Sequence, residues 1–326
     1  MKPVPVADGE IIDKAGAYLM SMAWYHQQCC IGPSVSSSGL RRIWSESPYH
    51  FWMNSDLNPH RLPPKPETDA LALGKGAHAL ILGEDNFDAI FAYVPEDAPS
   101  RPTKTQINAF ERDGVWSAAA APGAAFWSAW DAENAGKTML TYGAVERIRM
   151  MAKSIASNPL AKEVLTGALT EVSLIWQDDA TGVWLKSRID VIPNNGADFA
   201  DLKTFAPRTK SIKRAVHQAI TDNEYPMQMA MGQIAARQFG ASAEECVLVM
   251  VQSNDPYCVV PVRLDPEVLH WGRVKIRGAI DTFARCMETG HWPQPVEGLM
   301  DYTMPASAAE WLAEKQLNGE LPILER

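Results

Sequence analysis

Apolar residues recur at helical spacing along the first half of the chain, and alternation typical of strands begins only after Gly167. The pattern predicts a helix over about Asp13 to Gln27. A second, short helix is entered through Ser36-Ser37-Ser38 and carries Gly39-Leu40-Arg41-Arg42-Ile43-Trp44, with serine as its cap. Residues 57–68 hold four prolines and read as a loop. Ala70 to Leu82 reads as an apolar helix, and residues 95–104 as another proline-rich loop. Helices follow at roughly 104–113, 122–134 and Tyr142 to Ser157. Asn158-Pro159 breaks the last of these, and a short helix ends near Gly167.

Thr170 to Gln177 alternates and is rich in β-formers. The turn Asp178-Asp179-Ala180-Thr181-Gly182 joins it to a second strand, Val183 to Ile192, as a hairpin. A turn at Pro193-Asn194-Asn195-Gly196 leads to a third strand, Ala197 to Thr204. Helices are predicted at Ser211 to Asp222 and Tyr225 to Phe239, strands at Val247 to Gln252 and Val259 to Arg263, and a long helix at Pro266 to Thr289. The order after the leading helices is β-β-β-α-α-β-β-α. It implies an α/β fold, a central mixed sheet flanked by helices. We place one domain over residues 1–300, with a helical N-terminal part (1–68) and a core (69–300). The tail, 301–326, adds one helix at Ala306 to Gln316.

Composition narrows the class. With 46% hydrophobic and 21% charged residues, the chain is of ordinary globular character, large enough to need no staple. Five cysteines (29, 30, 246, 258, 286) include no Cys-x-x-Cys, which argues against a disulfide framework and a zinc site. No apolar run reaches membrane-spanning length and no signal-peptide layout opens the chain, so we expect a cytoplasmic protein with reduced thiols and no membrane partner. A net charge of −9 disfavours a generally basic nucleic-acid surface, but a local basic groove can sit on an acidic whole.

The chemistry concentrates in Arg188-Ile189-Asp190 and Asp201-Leu202-Lys203. Residues two apart on a strand face one side, so Asp201 and Lys203 point together, and the hairpin can bring Asp190 beside them. Adjacent carboxylates are costly unless a cation lies between them, which a divalent metal would supply. The lysine could then orient a water and stabilise charge on a phosphate. By spacing alone a surface salt-bridged strand pair fits equally. In Gly74-Lys75-Gly76-Ala77-His78 a glycine one turn before a histidine lets a backbone or ligand approach, and a neutral imidazole can bind metal. An ordinary core histidine is the open alternative. In Tyr225-Pro226-Met227-Gln228 the proline suits a helix start and Gln228 could reach Lys203 or a phosphate, or be plain helix surface.

In this order the elements resemble the PD-(D/E)XK nuclease superfamily, most closely its RecE (exonuclease VIII) type of phage and prophage exonuclease. The resemblance extends to Tyr25-His26, Ser36 to Leu40, Ser47-Pro48 and Leu73 to Leu82, and covers about residues 20–295. It implies a catalytic core of the restriction-endonuclease kind. His78, Asp190 and Asp201 would be ligands of Mg²⁺ or Mn²⁺, with the Leu202 backbone carbonyl a further ligand. Lys203 would be the catalytic lysine, and Tyr225 and Gln228 would support it or bind phosphate. Glu171 matches an acid that would act as a ligand through water, though a hairpin-edge surface acid fits its position too. Where the family often has a second tyrosine, this chain has Gly232. The widely spaced Cys246, Cys258 and Cys286 speak against the iron–sulfur cluster of some relatives.

The implied activity is metal-dependent digestion of double-stranded DNA ends, 5′ to 3′, in phage-type recombination. A ring-shaped homo-oligomer would leave a 3′ strand for an annealing protein of the RecT kind. A RecB-like nuclease acting on single strands or endonucleolytically, and a non-catalytic DNA-binding or assembly protein, are the rival readings. Arg208, Lys210, Lys213 and Arg214 are candidates for backbone phosphates, or else a solvated helix start. Arg41 and Arg42 are weaker candidates. Trp116, Trp127, Trp130, Trp176 and Trp184 could stack on bases or fill the core.

Overall fold

Residues 169–192 and 198–205 build the centre of the molecule, and the other described residues pack on them. The computed structural model describes residues 2–63, 68–83, 87–166, 169–192, 198–240 and 245–324. In chain order its strands are β1 (Val4–Pro5), β2 (Gly16–Leu19), β3 (Ser34–Ser36), β4 (Phe91–Tyr93), β5 (Thr138–Leu140), β6 (Leu169–Gln177), β7 (Trp184–Ile192), β8 (Asp198–Phe205), β9 (Glu245–Gln252) and β10 (Val259–Arg263). The main sheet runs β1-β2-β6-β7-β8-β9-β10, with β3 beside the first half of β7. β4 and β5 form a small parallel pair of their own.

The β6–β7 and β9–β10 pairs are antiparallel hairpins, whereas β8 and β9 run parallel from Asp198↔Glu245 to Phe205↔Gln252. A parallel pair needs a crossover, here the helices Ile212–Asp222 and Tyr225–Gln238. The mixed sheet flanked by helices is thus the arrangement expected. At the first hairpin Asp178 Oδ2 accepts from Thr181 N at 3.0 Å and from Thr181 Oγ1 at 2.7 Å, which closes the turn. The turn expected at 193–196 lies outside the described residues.

Each side of the sheet carries its own core. Leu174, Leu185, Ile189, Phe199, Leu248 and Met250 pack with Leu40, Met227, Met231, Ile276 and Phe283 of three helices, Ser37–Ser45, Tyr225–Gln238 and Pro266–Thr289. Val191, Ala200, Leu202, Val249 and Val251 pack with Leu73, Ala77, Ile148 and Met151 of two others, Asp69–Ile81 and Tyr142–Ala156. Ile189 and Val191 should share one face, being two apart on a strand. They belong to different cores, so β7 changes its facing at Asp190.

The N-terminal part departs from the helical reading. The stretch expected as one helix over 13–27 divides into strand Gly16–Leu19 and helix Met22–His26. Ser21 ends the strand and starts the helix, its side chain accepting from Trp24 N at 3.0 Å. Gly16, Ala17 and Tyr18 pair with Ile175, Leu174 and Ser173 of β6, a tertiary partner that outweighs local propensity. The tail forms the helix Ala306–Leu317, which buries no residue.

Two glycines of the helix Pro266–Thr289 make a test of its packing. A Cβ on Gly272 would stand 2.5 Å from the Pro226 carbonyl oxygen and 2.9 Å from Ala230 Cβ, and a backbone oxygen cannot swing aside. A Cβ on Gly278 would meet its nearest neighbour, Trp44 Cζ3, at 3.4 Å. Gly272→Ala should therefore destabilise by about 1–3 kcal/mol. Gly278→Ala should be neutral or stabilise by up to about 1 kcal/mol through helix propensity. Urea unfolding midpoints of the two variants check this.

Candidate metal centre

The centre lies where the sheet comes apart. Among the described residues, β7 and β8 are joined by a single pair, Val191↔Ala200. Beyond it, the Leu202 N–H donates to Asp190 Oδ2 at 2.8 Å, so a side chain takes the place of a strand carbonyl. The earlier part of β7, Trp184 to Lys186, is occupied by β3. Asp190 therefore sits in the opening between β3 and β8, 7% exposed.

The β6–β7 ladder is interrupted at the same level. Thr170↔Val191 and Val172↔Ile189 pair, and Glu171, opposite Asp190, does not. Glu171 has φ +54°, a left-handed conformation that costs a non-glycine residue roughly 1–3 kcal/mol. Such strain persists only where the surroundings impose it. Here it brings the Glu171 carboxylate over Asp190.

His78 arrives from the helix Asp69–Ile81, which Thr68 caps by accepting from Leu71 N at 3.3 Å. Its Nδ1 lies 3.4 Å from Asp190 Oδ2 and 3.8 Å from Glu171 Oε1. Ligand atoms of His78, Glu171 and Asp190 all fall within 4.8 Å of one another. No backbone approaches Gly74 closely, since a Cβ there would meet Thr204 Oγ1 at 3.5 Å, an ordinary contact. The tight glycine is Gly76, where a Cβ would reach Ile148 Cδ1 at 2.6 Å.

Asp201 stands beside this trio, 2% exposed, with both oxygens engaged. Oδ1 accepts from Gln228 Nε2 at 2.9 Å, and Oδ2 contacts the Lys203 ammonium. Lys203 Nζ also reaches the Leu202 carbonyl at 3.4 Å and lies 5.4 Å from the Tyr225 ring centre. Gln228 thus supports the acid. Glu171 is 8% exposed, which rules out the hairpin-edge surface acid.

The sequence profile of the PDDEXK-like domain of unknown function (DUF3799) matches residues 66–303. The chain belongs to this PDDEXK-like family. No curated protein matches it in sequence. Among solved structures, the crystal structure of a "Putative exonuclease" from Eubacterium rectale superposes with a TM-score of 0.52. It is 13% identical and spans 86% of this chain and 93% of its own. At that identity the likeness concerns the fold. A second structure, SSO0001, is 20% identical over 40% of this chain and 70% of its own, with a TM-score of 0.23, too low to bear on the fold.

Several surrounding residues of the PDDEXK-like chain find definite places. Gly232 is buried beneath Phe199, whose ring atoms a Cβ would meet at 2.6 and 2.7 Å, so no tyrosine fits there. Arg208, Lys210, Lys213 and Arg214 are exposed and, among the described residues, form no ion pair. Arg41 Nη1 donates to the Asn223 carbonyl at 2.6 Å with the Tyr225 ring 5.9 Å away, while Arg42 pairs with Glu46 at 3.5 Å. Trp127, Trp176 and Trp184 are core residues, and Trp116 stacks on Phe110 at 4.3 Å. His26, Ser36, Ser38, Arg42 and Lys186 line a polar cleft of about 160 Å³. Among the described residues no helix is long and apolar enough to cross a membrane.

Electrostatics show what the trio lacks. Burial, and next the Asp201 carboxylate, push the Asp190 pKa up to about 7. Burial works against the His78 cation, but Asp190 and Glu171 outweigh it and hold its pKa at about 9. Burial likewise opposes the Glu171 anion, yet His78 and Arg188 keep its pKa below the usual range. The Lys203 ammonium, opposed by burial, is favoured by Asp201 and Asp190. The buried acids therefore draw protons and ammonium groups toward themselves, and one imidazole nitrogen with two carboxylates is a donor set that suits a divalent cation.

The charged histidine should be visible in the protein's stability. The His78 pKa is raised from 6.5 to about 9 on folding, so its stabilising contribution is complete below pH 6.5 and lost as pH rises through about 9. With chelator present, wild type should unfold at a higher temperature than His78→Asn near pH 6, and the gap should close by about pH 10. Thermal unfolding across this range decides it, and a gap independent of pH would contradict a histidine that is charged in the folded protein.

Proposed function

We propose that this protein is a metal-dependent deoxyribonuclease acting on double-stranded DNA ends as an exonuclease. The observation that carries the reading is the cluster of half-buried His78 with buried Glu171 and Asp190, with Asp190 anchored on Leu202 N–H and the Lys203 ammonium beside Asp201. His78, Asp190 and Asp201 would hold Mg²⁺ or Mn²⁺, with Glu171 directly or through water and the Leu202 carbonyl as a further ligand. When bound, the ion would polarise the phosphodiester and lower the pKa of an attacking water.

The chain's own groups do the rest. The Lys203 ammonium touches Asp201 Oδ2 and approaches the Leu202 carbonyl, two of the groups assigned as ligands. The lysine is thus already drawn to the place where positive charge is needed. Freed from Asp201, it would orient the water and stabilise the charge that develops on the phosphate. Gln228 keeps Asp201 aimed through its bond to Oδ1, and Tyr225 packs against the lysine's cation.

Arg208, Lys210, Lys213 and Arg214 follow β8 directly and are exposed, a suitable place for the DNA backbone beside the centre. The motif resemblance supports 5′-to-3′ digestion, a ring of identical subunits and delivery of a 3′ strand to an annealing protein of the RecT kind. A closed ring would hold DNA by topology, which suits a chain of net charge −9.

Linear and circular duplexes, labelled at either end, test the reading in Mg²⁺ and in chelator. Release of nucleotides from 5′-labelled linear DNA, only with metal, is expected. Cleavage of circles or preference for single strands would favour a RecB-like nuclease, and no cleavage would favour a DNA-binding protein. Asp190→Asn keeps an oxygen for Leu202 N–H but removes charge, and should abolish turnover in a folded protein. Lys203→Met should keep metal and DNA binding while the single-turnover rate falls by roughly 10²-fold or more. Neutralising the four exposed cations should weaken binding to all sequences alike. It should also flatten the salt dependence of binding, by up to about 0.9 in slope for each phosphate the variant no longer neutralises.

A further inference from the structure

β7 carries two cations in its buried stretch, Lys186 and Arg188. A buried cation is costly unless hydrogen-bonded. Lys186 is 2% exposed and donates to the carbonyls of Tyr25 at 2.8 Å and Gln27 at 2.6 Å. Arg188 is placed differently. Its Nη1 donates to the Met20 carbonyl at 3.0 Å, and its Nε donates to Glu171 Oε2 at 2.5 Å. The two paired side chains are 11% and 9% exposed, so water competes little for either. One strand thus fastens residues 20–27 to the sheet through three backbone carbonyls, and at one of them the fastening continues into the candidate metal centre.

The geometry at Glu171 makes this continuation consequential. Glu171 uses one oxygen for Arg188 and turns the other, Oε1, toward His78 Nδ1 at 3.8 Å. Its left-handed backbone, φ +54°, points the side chain out of the regular ladder. A carboxylate so placed has several rotamers open to it, and the guanidinium selects one. The guanidinium has a fixed planar fork, and with Nη1 held by Met20 its Nε has a set direction. Met20 lies outside residues 66–303, the span of the matched domain.

We propose that Arg188 is a positioning residue for the metal centre. By holding Glu171 Oε2 while the Met20 carbonyl holds it in turn, it presents Glu171 Oε1 as a further ligand beside His78, Asp190 and Asp201. The N-terminal segment thereby becomes part of the centre. The inference rests on the metal site assigned above.

The test is Mn²⁺ binding without DNA, by calorimetry and by the electron paramagnetic resonance signal of free Mn²⁺. It compares wild type, Asp190→Asn, Glu171→Gln, Arg188→Met, Arg188→Lys and the Glu171→Gln/Arg188→Met double variant. Arg188→Met should weaken Mn²⁺ binding about 10- to 100-fold, the usual effect of losing a group that orients a ligand. Arg188→Lys keeps the charge but not the fork, so it should fall between wild type and Arg188→Met. Because Arg188 acts through Glu171, the double variant should bind no more weakly than Glu171→Gln alone. Should the methionine variant not fold in chelator, the lysine variant carries the same comparison, and weakened binding by it is the expected result. Wild-type affinity in a folded Arg188 variant, with Glu171→Gln weakened, would overturn the role of Arg188 and leave the metal site standing. Additive losses in the double variant would overturn it too. No Mn²⁺ binding by wild type, or full binding by both Asp190→Asn and Glu171→Gln, would remove the metal site and this role with it.

Discussion

A buried carboxylate at the point where two strands part is the constraint on which the rest of the structure depends. Asp190 accepts the Leu202 N–H at 2.8 Å, and that N–H would otherwise be an orphaned donor inside the sheet. The bond lets β7 and β8 separate without leaving the backbone unsatisfied. It also fixes the carboxylate within a few ångströms of Glu171 and His78. A neutral side chain of the same length could fill the hydrogen bond, but only an acid also creates a demand for positive charge. The surroundings answer that demand in part, with the His78 imidazolium on one side and the Lys203 ammonium on the other. Both carriers of charge can leave, one by losing a proton and the other by moving away. A site that must accept a cation reversibly needs that property.

The N-terminal segment takes on a role that its length would not suggest. β2 and β3 are short, but they dock on β6 and on the free half of β7. They cover the part of the sheet that β8 leaves open. Their neighbouring carbonyls receive Lys186 and Arg188, so two cations are buried with backbone oxygens as partners. The segment supplies the carbonyls that let both cations be buried on β7, and its own Ile12, Met20, Tyr25, Cys29 and Cys30 pack on Ile175 and Trp184 of the sheet.

Much of this was legible from pattern alone, and the remainder was not for identifiable reasons. The hairpin 170–192, the strand near 197–204 and the helices near 142, 225 and 266 are long and strongly periodic, and each is found close to its expected bounds. The strands of two to four residues escaped, because a window so short contains no period. The helix expected over 13–27 failed because pairing with β6 decided its first half. In the centre, the Asp190, Asp201 and Lys203 neighbourhood follows from spacing on a hairpin. The proximity of Glu171 to His78 does not, since it depends on a left-handed residue and on a helix distant in sequence. Arg188 stands beside Asp190 in the sequence motif, but spacing alone assigns it no partner. Only the Met20 carbonyl and the Glu171 carboxylate show that it points inward.

The central claim is that His78, Glu171 and Asp190 form a cation site. Anomalous scattering from crystals grown with Mn²⁺ tests it most directly. The account predicts a peak within bonding distance of His78 Nδ1, Asp190 and Glu171, with the Lys203 ammonium displaced from Asp201. A map with no peak there, in which His78 Nδ1 still lies against Asp190 and Lys203 still contacts Asp201, would contradict it.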